Sequence, residues 1–310
     1  MLLVGIDENG LGPRLGPLVV TAVSAECDTP RAGPWTLPHG ALRARLDDSK
    51  RLISFRDNAL GEAWARAIAQ RMAANDVKTP DTLISALCLD SATILQAPCP
   101  PEHADQCWST GGEQFCAHPK VVEAIARDLS VFDARGLVVT RAACVITCVR
   151  RLHDEEAKGL SRLHVDLHAM ERLALDARFH SRSDIDVTCG KVGGYARYGG
   201  AFGPTRALDC TPLVESRERS EYAISGLGRI AFVRDADGSH PLVAMASLVG
   251  KWVRDVLMAR IVRHYRRDDA SLPEASGYGD VTTSRFIEGS RTRREAIEMP
   301  AACFERPGRR

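Results

Sequence analysis

Two acids stand side by side where the first apolar run ends. The segment "LLVGID" closes on Asp7, Glu8 follows, and Asn9-Gly10 breaks the chain directly afterwards. Successive side chains of a strand point to opposite faces, so adjacent carboxylates serve one site only if the strand ends or twists between them. A third acid, Asp237, comes shortly after another apolar run, "RIAFV", and Asp235 shares its parity. Gathered carboxylates raise one another's proton affinity unless a cation lies between them. Hard oxygen donors suit Mg²⁺ or Mn²⁺, and two such ions can activate a water and stabilise the leaving oxygen in phosphodiester cleavage. Taken alone, the Asp7-Glu8 pair reads more simply as a solvated turn with two surface acids.

The elements that must hold these acids alternate between strands and helices. "LLVGID" and "PLVVTAVSAE" read as two strands paired across a Gly-Pro turn. "DDSKRLISFRDNALGEAWARAIAQRM" reads as one helix with Asp48 or Ser49 as its cap. "GLVVTRAACVITCV" is strand-like, and "EEAKGLSRLHVDLHAMERLALDAR" reads as one amphipathic helix with Leu160, Leu163, Leu167, Met170 and Ala174 on a stripe. "DIDVTC" and "RIAFVRDAD" are further strands, residues 190–228 read as loop or small hairpins, and Pro241 opens a long helix that runs through "RHY". A last short helix covers "TTSRFIEGSR". The pattern predicts an α/β fold with a mixed sheet, in which sites lie at the carboxyl ends of strands. Asp7, Glu8 and Asp237 all fall at such ends.

With 310 residues, 45% hydrophobic and 26% charged, the chain has the composition of an ordinary globular protein. A net charge of +1 excludes a global electrostatic commitment to nucleic acid or membrane, so any basic surface is local. No apolar stretch is long enough to span a bilayer, and the amino-terminal segment lacks the build of a signal peptide. A cytoplasmic monomer without a membrane partner is expected, and ten cysteines then read as buried thiols.

"GIDENGLGPRLGPLVVTAV" resembles the opening of ribonuclease HII, where a D-E-x-G-x-G-P segment stands. Further segments resemble that family in the same order: "DDSKRL" (47–52), the strand-helix unit ending in "AMER", "DADGSHPLVAMASLVGKWVRD" (235–255) and "SGYGDVTT" (276–283). The resemblance implies a ribonuclease H-like mixed sheet flanked by helices, with a Cys-containing insert and a small C-terminal helical part. It implies a domain over residues 1–265, interrupted by insertions at 79–135 and 190–228, and an extension over 266–310. It implies a metal-dependent endonuclease acting on the RNA strand of RNA–DNA hybrids or on ribonucleotides embedded in duplex DNA. Asp7, Glu8 and Asp237 then match catalytic acids holding Mg²⁺ or Mn²⁺, with Asp235 an alternative to Asp237. Gly10, Leu11 and Gly12 match the turn whose backbone reads the ribose, Lys50 and Ser49 lie near the scissile phosphate, Lys251 is a second phosphate contact, and Tyr278 stacks on the ribose. Lys191, with Tyr195, Arg197 and Tyr198, forms a basic, aromatic stretch that either follows a nucleic-acid backbone or is a loop anchored by tyrosines.

The resemblance also breaks. The family's third acid falls on Cys189, which is no hard ligand, and the arginine of the Gly-Arg-Gly turn is Leu11. Asp186 or Asp166 could substitute for the missing acid, or the three remaining acids could hold a single metal; otherwise the chain is a catalytically degenerate module that binds nucleic acid or protein. Residues 79–135 carry Cys88, Cys99, Cys107, Cys116, His103 and His118, without the tight C-x-x-C pairs of a zinc site, so buried thiols compete with a structural Zn²⁺ in the 88–118 region. The basic tail either touches phosphates or is a solvated terminus.

Overall fold

The computed structural model describes residues 1–27, 35–37, 40–72, 76–192 and 195–307. Its centre is a mixed seven-stranded sheet flanked by helices, the α/β architecture expected. Strand β1 (Leu2–Asn9) pairs antiparallel with β2 (Leu18–Cys27), and β2 with β3 (Leu137–Thr147). On its other side β1 runs parallel to β4 (Ile185–Gly190), which runs parallel to β7 (Gly228–Val233). A hairpin of β5 (Cys210–Glu215) and β6 (Arg219–Ile224) extends the sheet beyond β7, giving the order β3-β2-β1-β4-β7-β6-β5. The hairpin accounts for much of the stretch expected to be loop or small hairpins.

The helices are α1 (Ser49–Leu52), α2 (Ala59–Arg71), α3 (Pro80–Leu87), α4 (Ala92–Gln96), α5 (Ala104–Trp108), α6 (Pro119–Asp133), α7 (Val149–Ala157), α8 (Arg162–Phe179), α9 (Pro241–Arg266), α10 (Val281–Gly289), α11 (Arg291–Ala296) and α12 (Ala301–Phe304). Two expected helices are each split. At Ile53 the backbone turns extended and Ser54 and Asp57 exchange main-chain hydrogen bonds, so α1 ends after one turn and α2 starts afresh. Between α7 and α8, Gly159 adopts a left-handed φ of 85° and Ser161 forms a capping box with His164, which leaves Leu160 outside either helix.

The sheet buries both faces. On one face α2, α6 and α9 pack around Val19, Val23, Trp64, Leu129, Leu248 and Trp252. Helix α9 lies so close that a Cβ on Gly5 would stand 2.4 Å from the Leu242 carbonyl carbon, so only glycine fits in β1 at that crossing. On the other face α8 packs around Val4, Ile6, Val20, Met170, Val187 and Phe232. Burying each such side chain stabilises the fold by roughly 1.5–3 kcal/mol. Residues 79–135 carry helices α3 to α6, and Leu83, Leu87, Val122, Ile125 and Phe132 belong to the α9-side core. The C-terminal helices close a third cluster around Leu15, Met258, Tyr265, Phe286 and Phe304. The tail is not a solvated terminus as far as Pro307: Arg306 is buried and donates from Nε to the Gly16 carbonyl at 2.8 Å and also bonds the Gly10 carbonyl.

Candidate active site

Where β1 ends, the chain enters a cleft of about 270 Å³ bounded by the Gly10–Gly12 turn, α1, the start of α9 and the segment around Tyr278. Asp7, Glu8, Gly10, Leu11, Gly12, Ser49, Lys50, Lys191, Asp237, Lys251 and Tyr278 all line it, together with Asn9, Asp235 and Ser247. The fold therefore brings together the acids, lysines, glycine turn and tyrosine matched to this site, but not Asp166, Asp186, Cys189 or Tyr198.

Each acid is placed by a different device. Asp7 points to the α9 side and is buried at 8% exposure, with the Ser247 hydroxyl of α9 as a hydrogen-bond partner. Burial, then the neighbouring Glu8, push its proton affinity well above the usual carboxylate range; Ser247 and Lys50 oppose them. Glu8 points to the α8 side, and burial followed by the Asp166 carboxyl push it up to about 8. Asp237 sits in a single 3-10 turn between β7 and α9 and accepts from the Gly238 amide at 3.0 Å. It too is raised, by burial first and then by Asp48, with Lys50 lowering it. Asp235 has a left-handed φ of 51°, is exposed, and lies 3.5 Å from Arg234.

The cations differ in freedom. Lys50 is held at the base of α1, whose cap Asp48 accepts from the Lys50 amide at 2.9 Å, and its ammonium end is exposed. Burial lowers its proton affinity, but Asp237, Asp48, Asp7 and Glu8 together leave it raised. Ser49 is buried and shares a 2.9 Å hydrogen bond with Ser247, tying α1 to α9 beneath Asp7. Lys251 is lowered by burial and donates to the Ile53 carbonyl at 2.8 Å. Lys191 donates to the Ser216 carbonyl at 2.6 Å and the Ser220 hydroxyl at 2.9 Å. Both lysines are engaged within the protein, unlike Lys50.

The turn after Glu8 is fixed from behind. Gly10 has φ of 92°, and a Cβ there would stand 2.5 Å from Arg254 Nε. Leu11 packs on the α8-side core, and Arg162 donates to the Leu11 carbonyl at 3.3 Å. The leucine thus lines the cleft while its side chain packs on the α8-side core and anchors the turn. Tyr278 is half exposed, and the Arg254 guanidinium stands 4.9 Å from its ring centre. Tyr198 is not a base-stacking platform: it is buried and stacked on Phe232 at 4.0 Å. Gly193 and Gly194 of the same stretch lie outside the described residues.

Strand β4 departs from expectation. Cys189 pairs with Ile6 and is fully buried in the α8-side core, so it does not face Asp7. Gly190 is what stands beside Asp7, since a Cβ added there would lie 2.8 Å from Asp7 Oδ1. Asp186 pairs with Leu3 near the far end of the strand and bonds Arg229 at 3.0 Å, so it does not reach the cleft. Sequence reasoning missed Ser247, although it lies in the "AMASLVGK" run, and gave Asp166 little weight. Asp166 is fully buried, and neither carboxyl oxygen has a hydrogen-bond partner.

The donor set of the cleft is carboxylate oxygen, which fits a divalent cation such as Mg²⁺ or Mn²⁺. Among the described residues no three His, Cys, Asp or Glu side chains already stand as a coordination group, so a cation would have to draw the carboxylates inward. The candidate zinc ligands of the insert disperse: Cys88 lies against Cys144, Cys116 donates to Glu62, and His118 caps α6. Cys107 is half-buried near Cys99, Cys148 and Cys303, and this desolvation pushes its thiol up to about 12. Asp255 of α9 forms a 3.6 Å ion pair with the adjacent Arg254. No described helix is long and apolar enough to cross a membrane.

No family model matches the sequence, and no curated protein matches it. Among solved structures, the chain is similar to one from the PCNA:RNase HII complex of Archaeoglobus fulgidus, at 17% identity and a TM-score of 0.42, covering 100% of this chain and 97% of that one. It is similar to Bst-RNase HIII in complex with Mn²⁺, at 13% identity and 0.45, covering 98% of this chain and 66% of that one. It is also similar to ribonuclease H2 from Pyrococcus horikoshii OT3, at 13% identity and 0.40, covering 98% and 92%. Likeness this distant says nothing about chemistry, which rests on the cleft itself.

Proposed function

We propose that the cleft is the active site of a divalent-cation-dependent endonuclease that hydrolyses the RNA strand of RNA–DNA hybrids or ribonucleotides embedded in duplex DNA. The observation that carries this reading is the meeting of Asp7, Glu8 and Asp237 with the free ammonium of Lys50 in one cleft at the ends of β1 and β7. Asp7, Glu8 and Asp237 would hold Mg²⁺ or Mn²⁺, which when bound supplies water activation and charge stabilisation at the leaving oxygen. Ser247 orients the Asp7 carboxylate. Lys50 places positive charge where a phosphate would lie. The glycine turn allows a nucleic-acid backbone to come close, and Tyr278 offers an exposed ring to a ribose, whose 2′-OH separates RNA from DNA. Lys251 and Lys191 line the same cleft and would contact the backbone further out.

The test is cleavage of duplex DNA carrying one ribonucleotide, and of an RNA–DNA hybrid, with Mg²⁺ or Mn²⁺. The wild-type protein is expected to cut at least one of them and Asp7→Asn to cut neither. A second reading has its own observation, the absence of an acid at the end of β4. A degenerate module would bind the hybrid without cutting it.

A further inference from the structure

Helix α8 carries a charge that the fold leaves unexplained. Asp166 is fully buried, and neither of its carboxyl oxygens has a hydrogen-bond partner. Its helical neighbours Val165, Leu167, Ala169 and Met170 are core residues. An apolar side chain would satisfy that environment, whereas a buried carboxyl without a partner is costly even when neutral. Orphaned polar groups of this kind mark strain, catalysis or an ion.

The position of Asp166 decides among these. One helical turn earlier, Arg162 donates to the carbonyls of Leu11 at 3.3 Å and Pro13 at 3.5 Å, so the first turn of α8 lies against the Gly10–Gly12 turn. Residues 162 and 166 share a helix face, which brings Asp166 to the level of the end of β1. Its electrostatic neighbours agree: Asp7 is the charge acting on Asp166, and Asp166 is the foremost charge acting on Glu8 and on Cys189. Asp166 does not line the cleft; it stands behind Glu8, on the side to which Cys189 also points. The vacancy for an acid on β4 and the excess acid on α8 therefore face the same place.

We infer that Asp166 is the third buried carboxylate of the divalent-cation site, delivered by α8 in place of an acid on β4. This rests on the reading of the cleft as a cation site. A buried carboxyl whose two oxygens have no hydrogen-bond partner, at the level of the end of β1, is then a ligand that a divalent ion would complete.

Mn²⁺ binding by isothermal titration calorimetry on the full chain tests this without recourse to activity. Asp166→Asn is expected to weaken Mn²⁺ binding at least tenfold, while Asp186→Asn, which alters a surface acid on β4, leaves it unchanged. Binding that is lost in Asp7→Asn but unchanged in Asp166→Asn overturns the assignment and leaves the cation site standing. No Mn²⁺ binding by the wild type removes both. A crystal of the wild-type protein soaked in Mn²⁺ gives the same answer if the variant does not fold. An anomalous peak bonded to an Asp166 oxygen, directly or through one water, supports the assignment. A peak on Asp7 and Glu8 with Asp166 turned away overturns it.

Discussion

Strands β1 and β4 lie side by side, point the same way and pair Ile6 with Cys189, yet they deliver opposite things to the cleft. Past that pair β1 runs into Asp7 and Glu8, whereas β4 runs into Gly190 and Lys191, and the lysine turns back to Ser216 and Ser220. One strand end is a source of negative charge; its neighbour is a space. The space is shaped, because any side chain at residue 190 would press on Asp7. The charge that β4 lacks is present on the sheet's other flank, in α8. Two parallel strands with one register thus need not share the labour of a site evenly, and a helix beneath them can carry what one of them omits.

Removing the acid of β1 should have the largest effect. Asp7→Asn is expected to lower cleavage about a thousandfold, since several kcal/mol of charge stabilisation depend on the ion it holds. Cleavage within tenfold of wild type would mean that β1 is no more central than β4. Placing an acid on β4 at the residue that the resemblance points to should instead harm the fold. Cys189→Asp puts a carboxylate into the α8-side core beside Asp166 and Glu8, at a cost of about 3–5 kcal/mol in urea denaturation. A stable Cys189→Asp with raised activity would restore the equivalence of the two strands. Gly190→Ala is milder. Its Cβ displaces the Asp7 carboxylate, and a misplacement near 1 Å costs about a hundredfold in rate while the unfolding midpoint stays close to wild type.

The frame of this comparison was legible in the sequence because it is local. β1, β2, β3, β4 and β7 are apolar runs bounded by glycine, proline or short polar residues, and Asp7, Glu8 and Lys50 sit in short motifs whose spacing survives inspection. What stayed hidden is set by tertiary contact. The helical period continues through Ile53 and Leu160, and it masked the local break signals of Gly159 and the Ser161 cap. Tyr198 reads equally as a stacking platform or a loop anchor until Phe232 is known to lie under it. Asp166 sits at the margin of an apolar stripe, and only the docking of Arg162 against Leu11 and Pro13 shows that this margin faces the end of β1. The tail reads as either a phosphate contact or a solvated basic terminus because the sequence does not reveal that Gly10 and Gly16 leave carbonyls for Arg306.

The pH dependence of stability tests whether the α8 flank is the charged one. Glu8 holds its proton up to about pH 8, against an ordinary value of 4.5, through burial and then Asp166. In the unfolded chain it ionises near 4.5. Between these limits the folded state keeps a proton that the unfolded state has lost, so the free energy of unfolding falls as pH rises through that window. The penalty is absent below about pH 4.5 and complete above about pH 8. Without divalent cation, wild-type urea midpoints are therefore expected to decline across this range, and Glu8→Gln, which cannot ionise, to decline less. Mn²⁺ should flatten the wild-type curve toward the variant, because a cation beside Glu8 offsets the cost of ionising it. Parallel curves for the two proteins would place Glu8 in an ordinary solvated setting, and the contrast between a charged α8 flank and an uncharged β4 end would lose its physical basis.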